Sequence, residues 1–251
     1  MSFKVYIPAR FDSSRLPGKA LADLGGRPLI EHVYARAVAS GATEVVIATD
    51  DDRIARAAEA FGATVCMTAA THQSGSERLA EAVRLRREPE DAIIVNLQGD
   101  EPFMPAAVVR QVAACLEQRP QLEMASVCEP LRDADEWRDP NAVKVVRDEA
   151  DYALYFSRAP IPYPRDDAFT PPGTRDFRRH VGLYAYRVGF LQRFVRWPAA
   201  ALEQLEKLEQ LRALAHGARI LVEDAAAPCG VGVDTPDDLA RARAHFAAAS
   251  R

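Results

Sequence analysis

Short apolar runs alternate with amphipathic segments through the first hundred residues, and this alternation constrains the fold more than any other feature. The runs are continuous and rich in β-branched residues, which is typical of strands buried on both faces of a sheet. Strands are predicted over residues 5–7, 44–49, 64–68 and 92–98, with helices between them over 28–40, 50–61 and 76–87. Strands that alternate with helices of this length indicate an α/β fold with a doubly wound, mainly parallel sheet.

The pattern becomes less regular near residue 130, which is the one candidate subdomain boundary. The later elements are predicted as helix 105–119, strand 124–128, an antiparallel hairpin of 142–148 with 152–157, strand 180–186 and a helix to 197, one leucine-rich helix 201–216, strand 220–223 and helix 236–248. We expect a single domain over 1–251, with a nucleotide-binding half (1–130), a smaller mixed α+β part (131–215) and a return to the main sheet (216–251). In such sheets ligands bind beyond the carboxyl ends of the strands.

Composition excludes several classes of protein. With 48% apolar residues, 27% charged residues and a net charge of −4, the chain has no general basic character for sequence-independent nucleic-acid binding. No apolar run has the length of a signal sequence or of a membrane-spanning helix, so we expect a cytoplasmic protein without a membrane partner. Cys66, Cys115 and Cys128 lie in apolar runs without a CxxC pair, which predicts buried, reduced thiols.

A basic loop follows the first predicted strand, in KVYIPARFDSSRLPGK (4–19). Pro8 is expected to end that strand, because proline has no N–H for a strand ladder. Arg10, Arg15 and Lys19 then stand among small residues, a composition that suits polyphosphate binding but also an ordinary solvated loop. Neither GxxxxGK[ST] nor GxGxxG is present, so the spacing alone leaves both interpretations open.

Two aspartates far apart in the sequence are candidate metal ligands. Asp100 follows the strand 92–98 and Gly99, and Asp234 follows an apolar, strand-like stretch just before a predicted helix. Each aspartate alone is equally explained as a turn or helix-cap residue, with Asp234 or Thr235 as the cap. Together they predict a shared Mg²⁺ site, since Mg²⁺ takes one or two carboxylates plus substrate phosphates. The acidic run 50–52 is interpreted instead as a helix start.

The segment 73–78 (QSGSER) joins a predicted strand to a predicted helix. Ser74 or Ser76 is expected to cap that helix, whose N-terminus is a potential anion site. Arg78 is either part of that site or an ordinary surface arginine, and His180 is either functional or a satisfied strand histidine. The chain has no GxSxG, so a serine hydrolase is not indicated.

Several longer motifs carry a resemblance to a known family. IPAR with SRLPGK, THQSGSERLAE and VNLQGDEP resemble the cytidylyltransferases that activate acidic sugars. The stretches DPNAVKVV, YALYFSRAPIP, RHVGLYAYR, LEQLEKLEQLR and GVDTPDDL narrow this to the branch that acts on 3-deoxy-manno-octulosonate (Kdo). The resemblance runs from Lys4 to about Arg243. It implies a cytoplasmic, Mg²⁺-dependent homodimer of the nucleotide-diphospho-sugar transferase fold that converts CTP and Kdo into CMP-Kdo and pyrophosphate for lipopolysaccharide synthesis.

The resemblance also implies roles for individual residues. Lys19, Asp100 and Asp234 are expected to be catalytic, and the two aspartates to bind the metal. Nucleotide binding is expected for Ala9, Arg10, Arg15, Lys19, His72, Gln73, Ser74 and Arg78. Sugar binding is expected for Gln98, Arg158, His180, Tyr184, Glu209 and Gln210, and the part 131–215 is expected to combine sugar binding with dimerisation.

The departures from the family pattern are small. Ala20 stands where a proline often follows PGK, and Ser76 stands where a threonine often follows Gly75. Neither change removes a charge or a ligand. The rival interpretations are a cytidylyltransferase for another acidic sugar, such as an 8-amino Kdo analogue or a sialic acid, and a non-catalytic nucleotide-binding protein on the same fold.

Overall fold

The structure of the protein, a computed structural model, describes residues 2–12, 16–165 and 176–249. The strands are β1 (Lys4–Ala9), β2 (Asp23–Leu24), β3 (Arg27–Pro28), β4 (Glu44–Thr49), β5 (Thr64–Met67), β6 (Ile93–Asn96), β7 (Met124–Pro130), β8 (Lys144–Arg147), β9 (Ala153–Ser157), β10 (Arg178–Arg187) and β11 (Ile220–Asp224). The helices are α1 (Leu29–Ala39), α2 (Asp52–Ala60), α3 (Gly75–Leu85), α4 (Ala106–Glu117), α5 (Ala134–Arg138), α6 (Val188–Phe194), α7 (Ala201–Glu206), α8 (Gln210–Ala215) and α9 (Pro236–Ala249), with a 3₁₀ turn at Lys19–Leu21.

The main sheet has the strand order β11-β7-β10-β6-β1-β4-β5, with β8 and β9 joined to it through β10. β1 pairs in parallel with β4 and β6, β4 with β5, and β7 with β11. β10 runs antiparallel to β6, β7 and β8. The α/β class and the mainly parallel sheet are therefore confirmed. The division at residue 130 stays a prediction, and β10, from the part 131–215, lies inside the main sheet.

Alternate residues of β1 pack on opposite faces of the sheet, because successive side chains of a strand point to opposite sides. Val5 and Ile7 belong to a core that also contains residues of α1, α2, α4 and α9. Tyr6 belongs to a second core, which contains residues of α3, α6 and α8. Both faces of the sheet are thus covered by helices, as the continuous apolar runs predict.

The prediction that Pro8 ends the first strand is wrong, because β1 continues to Ala9 alongside β4. Tyr6 accepts a hydrogen bond from Leu97 N on the β6 side, and Pro8, two residues later, faces the same side. The pairing of β1 with β6 has already ended at Asn96. The missing N–H of Pro8 therefore costs no ladder hydrogen bond.

The prediction of one helix over 201–216 is also wrong. The segment forms α7 and α8, separated at Lys207, which has a left-handed backbone with φ of 53°. The break lets Leu208 pack in the core at 6% exposure, whereas Leu202 and Leu205 remain 45% and 79% exposed. The predicted hairpin of β8 and β9 is confirmed, and the short elements α5, β2 and β3 were not predicted.

The predictions for the cysteines are confirmed. Cys66, Cys115 and Cys128 are buried free thiols, and Cys229 is a half-buried free thiol. Burial is the largest cause that raises the pKa of Cys115 and Cys128, in each case to about 12, so these thiols stay protonated at neutral pH.

No helix in the described residues is both long enough and apolar enough to cross a membrane.

Candidate active site

Gly18 and the 3₁₀ turn at Lys19–Leu21 place Lys19 at the carboxyl-end edge of the sheet. Gly18 has a φ of 70°, a left-handed conformation that glycine adopts without strain, and its N–H donates to the carbonyl of Phe11 at 3.0 Å. A Cβ at Gly18 would lie 3.2 Å from the ring of Phe11. The 3₁₀ turn then places the Lys19 side chain above the ends of β1 and β6.

The Lys19 ammonium lies between the two predicted metal-binding aspartates. Its Nζ donates to Asp100 Oδ2 at 2.7 Å and to Asp234 Oδ1 at 2.9 Å. The backbone holds the aspartates together, because Val233 N donates to the carbonyl of Asp100 at 2.8 Å. The segment before Asp234 is not a strand, so that part of the prediction is wrong. Thr235 caps α9, since its Oγ1 accepts from the N–H three residues later at 3.2 Å.

In this triad one ammonium faces two carboxylates. Burial acts to lower the pKa of Lys19, but Asp100 and Asp234 outweigh it and the pKa is raised. Lys19 is therefore a permanent cation at neutral pH. Burial, followed by the charge of Asp100, raises the pKa of Glu101 to about 8. The neighbouring Glu101 is therefore harder to ionise than an ordinary glutamate.

The N-terminus of α3 forms the opposite wall. Ser74 is its cap, accepting from Glu77 N at 3.2 Å. Arg78 is only 3% exposed, so its interpretation as a surface arginine is wrong. Its guanidinium donates to Asp50 Oδ2 at 2.9 Å and to Thr68 Oγ1 at 2.7 Å. The sequence interpretation missed this partner of a cavity-lining arginine, although the place of Asp50 after β4 put it at the same edge of the sheet.

Glycines let these segments approach each other closely. A Cβ at Gly99 would lie 2.8 Å from the carbonyl oxygen of Pro8, a distance that real Cβ atoms do not adopt. A Cβ at Gly75 would lie 3.3 Å from the side chain of Pro8. The close contact of both segments with the end of β1 keeps the two walls of the site near each other.

The walls enclose a cavity of about 270 Å³. It is lined by Pro8, Ala9, Arg10, Lys19, Ala20, His72, Gln73, Ser74, Gly75, Arg78, Gln98, Gly99, Asp100 and Asp234. The structure therefore brings together the predicted nucleotide-binding and metal-binding residues, apart from Arg15, which lies outside the described residues.

The predicted sugar-binding residues do not all line one cavity. Gln98 lines the first cavity, whereas His180, Tyr184 and Gln210 line a second cavity of about 280 Å³. Glu209 connects the two, because it accepts from Ser74 Oγ at 2.9 Å and precedes Gln210.

Arg158 lines neither cavity. Its Nε donates to the carbonyl of Glu206 at 2.7 Å, and its Nη1 donates to the carbonyl of Pro140 at 2.8 Å. These bonds attach β9 to the α7 end and to the loop that precedes β8. The structure therefore does not bring Arg158 together with the other predicted sugar residues.

The carboxylates fit a divalent cation that is shared with a substrate. Among the described residues there is no cluster of three or more His, Cys, Asp or Glu that would hold a metal on its own. Asp100 and Asp234 form a pair of hard oxygen donors that already bind one cation, the ammonium of Lys19, from both sides. Two carboxylates with further ligands supplied by phosphates is the donor set that suits Mg²⁺.

Comparison with known proteins agrees with this geometry. The family model described as cytidylyltransferase matches residues 5–220. The chain belongs to the cytidylyltransferase family. It is 53% identical to the 3-deoxy-manno-octulosonate cytidylyltransferase 1 of Hydrogenovibrio crunogenus over 97% of this chain and 95% of that protein. The 3-deoxy-manno-octulosonate cytidylyltransferase of Coxiella burnetii is 52% identical over 98% of this chain and all (100%) of that protein.

Solved structures extend the likeness to three dimensions. A structure of CMP:2-keto-3-deoxy-manno-octonic acid synthetase complexed with CTP has a TM-score of 0.90 and 43% identity, covering 99% of each chain. A nucleotidyl transferase from a Methanothermobacter species has a TM-score of 0.62 at 16% identity, which shows the fold alone. The predicted nucleotide-diphospho-sugar transferase fold and the predicted family are both confirmed.

Proposed function

We propose that the protein transfers CMP from CTP to the anomeric hydroxyl of Kdo, giving CMP-Kdo and pyrophosphate for lipopolysaccharide synthesis. The observation that carries the proposal is the Lys19 ammonium between Asp100 and Asp234, in a cavity whose other wall is the N-terminus of α3. The 53% identity to a 3-deoxy-manno-octulosonate cytidylyltransferase supports the choice of nucleotide and sugar.

The reaction is an in-line displacement at the α-phosphorus of CTP. The bond from the anomeric oxygen to the α-phosphorus forms as the bond from that phosphorus to the pyrophosphate oxygen breaks, and the proton of the anomeric hydroxyl leaves to solvent or to the departing pyrophosphate. Catalysis of this kind depends on positioning and charge neutralisation rather than on a protein nucleophile. Lys19 and Arg10, both at the cavity, would neutralise the triphosphate, and the N–H groups at the start of α3 offer further anion contacts.

Asp100 and Asp234 would hold the Mg²⁺ that we propose as cofactor. When bound there, Mg²⁺ supplies Lewis-acid polarisation of phosphate and hydroxyl oxygens. The Lys19 ammonium then has triphosphate oxygens as alternative acceptors. The protein's own contribution is to keep the two carboxylates adjacent, through the hydrogen bond from Val233 N to the Asp100 carbonyl.

The sugar is proposed to lie between Gln98 and the second cavity. Glu209 connects the two regions through Ser74 and Ser76, its Oε2 accepting from Ser76 Oγ at 2.8 Å. His180 and Tyr184 supply ring surface and polar atoms there. A role for Arg158 in sugar binding stays a prediction, because its guanidinium is engaged with backbone carbonyls in this structure.

We also propose that the protein is a cytoplasmic homodimer. Helix α7 contributes no buried residue to its own chain and exposes two leucines, Leu202 and Leu205. A second copy covering this surface would remove those leucines from water. Sedimentation at equilibrium tests the proposal, and a monomeric mass at micromolar concentration contradicts it.

The activity is tested by pyrophosphate release with CTP and Mg²⁺ across a panel of Kdo, its 8-amino analogue and a sialic acid. We expect release with Kdo that is matched by formation of CMP-Kdo. A clear preference for another sugar would identify that sugar, rather than Kdo, as the substrate. Binding of CTP without turnover of any sugar would favour a non-catalytic nucleotide-binding protein.

A further inference from the structure

The β10 strand contains an irregularity next to a fully buried serine. The register of β10 with β7 shifts between Val181 and Tyr184. Ser126 of β7 lies opposite this bulge and is 0% exposed. Its Oγ is 2.8 Å from the carbonyl oxygen of Leu183, 3.2 Å from that of Val181 and 2.9 Å from Nε2 of His180.

The position of one proton follows from these distances. A hydroxyl has a single donor, and the two carbonyl oxygens can only accept. If Ser126 donated to His180 instead, its oxygen would face the Leu183 carbonyl oxygen at 2.8 Å with no hydrogen between them, a repulsive contact. The hydroxyl therefore donates to Leu183, and its oxygen accepts from Nε2–H of His180.

The same tautomer determines the character of Nδ1, the other ring nitrogen of His180. Burial, followed by the charge of Arg179, lowers the pKa of His180 to about 3, so the ring is neutral. A neutral ring with its proton on Nε2 carries a lone pair on Nδ1. In the described part of the chain, the ring's hydrogen bond is the one through Nε2. His180 also lines the second cavity, next to which the sugar is proposed to lie.

We propose that Ser126 is a positioning residue, which fixes the Nε2–H tautomer of His180 so that Nδ1 accepts a hydrogen bond from a hydroxyl of the sugar. The proposal rests on the function proposed above and adds to it the part of the sugar that binds here. A neutral acceptor suits the hydroxyl-bearing portion and repels the carboxylate. The rings of Phe156 and Tyr184, with centroids 4.9 Å and 5.3 Å from that of His180, hold the ring in this orientation.

The first test reads the tautomer directly in the unaltered protein, without substrate. Nitrogen-15 NMR of histidine-labelled protein is expected to show a protonated Nε2 and an unprotonated Nδ1 for His180, assigned by loss of its signals in His180→Gln. A protonated Nδ1 would overturn the proposal. Because the measurement involves no turnover, its failure is distinct from failure of the proposed function.

The second test separates positioning from structural support. Ser126→Ala is expected to raise KM for Kdo by ~3- to 10-fold, the effect of about one hydrogen bond, with KM for CTP unchanged. Ser126→Thr keeps the hydroxyl and should restore both the tautomer and KM. Ser40→Ala is the matched control, because Ser40 is also 0% exposed and donates to a backbone carbonyl, that of Ala37 at 2.6 Å, but has no hydrogen bond with a histidine among the described residues.

The KM values of these variants distinguish a positioning role of Ser126 from a structural one. Equal KM values for Kdo in Ser126→Ala and Ser40→Ala would overturn the proposal, as would a parallel rise in KM for CTP. If Ser126→Ala does not fold, the tautomer in the unaltered protein and in Ser126→Thr still decides it.

Discussion

Replacing Lys19 by methionine removes the ammonium but keeps a side chain of similar length. In this structure that ammonium has two carboxylate partners, at 2.7 Å from Asp100 and 2.9 Å from Asp234. In the complex that we propose, the same charge faces the triphosphate. The variant therefore tests whether Lys19 serves catalysis or merely holds the two aspartates.

The expected effects on stability and on activity differ in size. At an effective dielectric constant of about 20, each ion pair has a gross Coulomb energy of ~6 kcal/mol. Most of this is offset, because the carboxylates of Asp100 and Asp234 are 27% and 43% exposed and regain water when Lys19 is removed. We expect a loss of ~1 kcal/mol in the free energy of unfolding. Removal of one preorganised charge from a reacting phosphate costs ~3–4 kcal/mol of transition-state stabilisation, which is a fall in kcat of roughly 100- to 1,000-fold.

Lys4→Met is a matched control within the same protein. Lys4 lies at the opposite end of β1 and also has two carboxylate partners, Glu88 at 2.8 Å and Glu44 at 3.0 Å. We expect a comparable loss of stability in Lys4→Met with kcat for pyrophosphate release unchanged. Urea unfolding and steady-state kinetics on both variants provide the comparison. If Lys19→Met keeps kcat within a few-fold of the unaltered protein, or if Lys4→Met loses as much, the assigned role of Lys19 is refuted.

Three further substitutions test packing, capping and charge at other residues. Gly99→Ala should lower stability by ~1–3 kcal/mol in urea unfolding, because its Cβ would lie 2.8 Å from the Pro8 carbonyl; an unchanged midpoint contradicts this close packing. Asp51→Ala should cost ~1 kcal/mol at pH 7, since Asp51 caps α2. The pKa of Asp51 is lowered from 3.8 to about 2, chiefly by its side-chain hydrogen bonds with Arg53. The contribution of the Asp51 carboxylate to the free energy of unfolding is therefore fully present above pH 3.8 and is lost as the pH falls through about 2. A difference in stability between Asp51→Ala and the unaltered protein that persists below pH 2 contradicts this charge effect. Asp50→Asn should raise KM for CTP several-fold by loosening Arg78, and an unchanged KM argues against that role.

The main sheet could be predicted because its strands are continuous apolar runs and its helices are periodic. The strand β4 and the helix α9 lie close to their predicted limits. That Lys19 and Asp100 lie at the same edge of the sheet also follows from sequence, since each comes after a predicted parallel strand. Strand pairing could not predict that Asp234 lies beside Lys19 and Asp100, because Asp234 follows an irregular segment. That segment is held to Asp100 by the hydrogen bond from Val233 N to the Asp100 carbonyl.

The wrong predictions concern residues whose conformation or burial depends on tertiary packing rather than on the local sequence pattern. The segment 201–216 has an uninterrupted helical composition, yet it breaks at Lys207, and Leu208 just after the break is buried in the core. Arg78 could not be placed from sequence, because its burial depends on Asp50, which comes from another strand end. Ser126 gave no sequence signal, since its contacts with His180 and Leu183 arise only from the register shift in β10.

In the proposed reaction Asp100 and Asp234 act together in forming CMP-Kdo. The most direct measurement is CMP-Kdo formation by purified Asp100→Asn and Asp234→Asn, with CTP, Kdo and Mg²⁺ at saturation. Asparagine has the shape of aspartate and can still accept from Lys19, so we expect unfolding transitions close to that of the unaltered protein. Turnover should fall by at least ~100-fold in each variant. Near-normal formation of CMP-Kdo by both folded variants would contradict the claim.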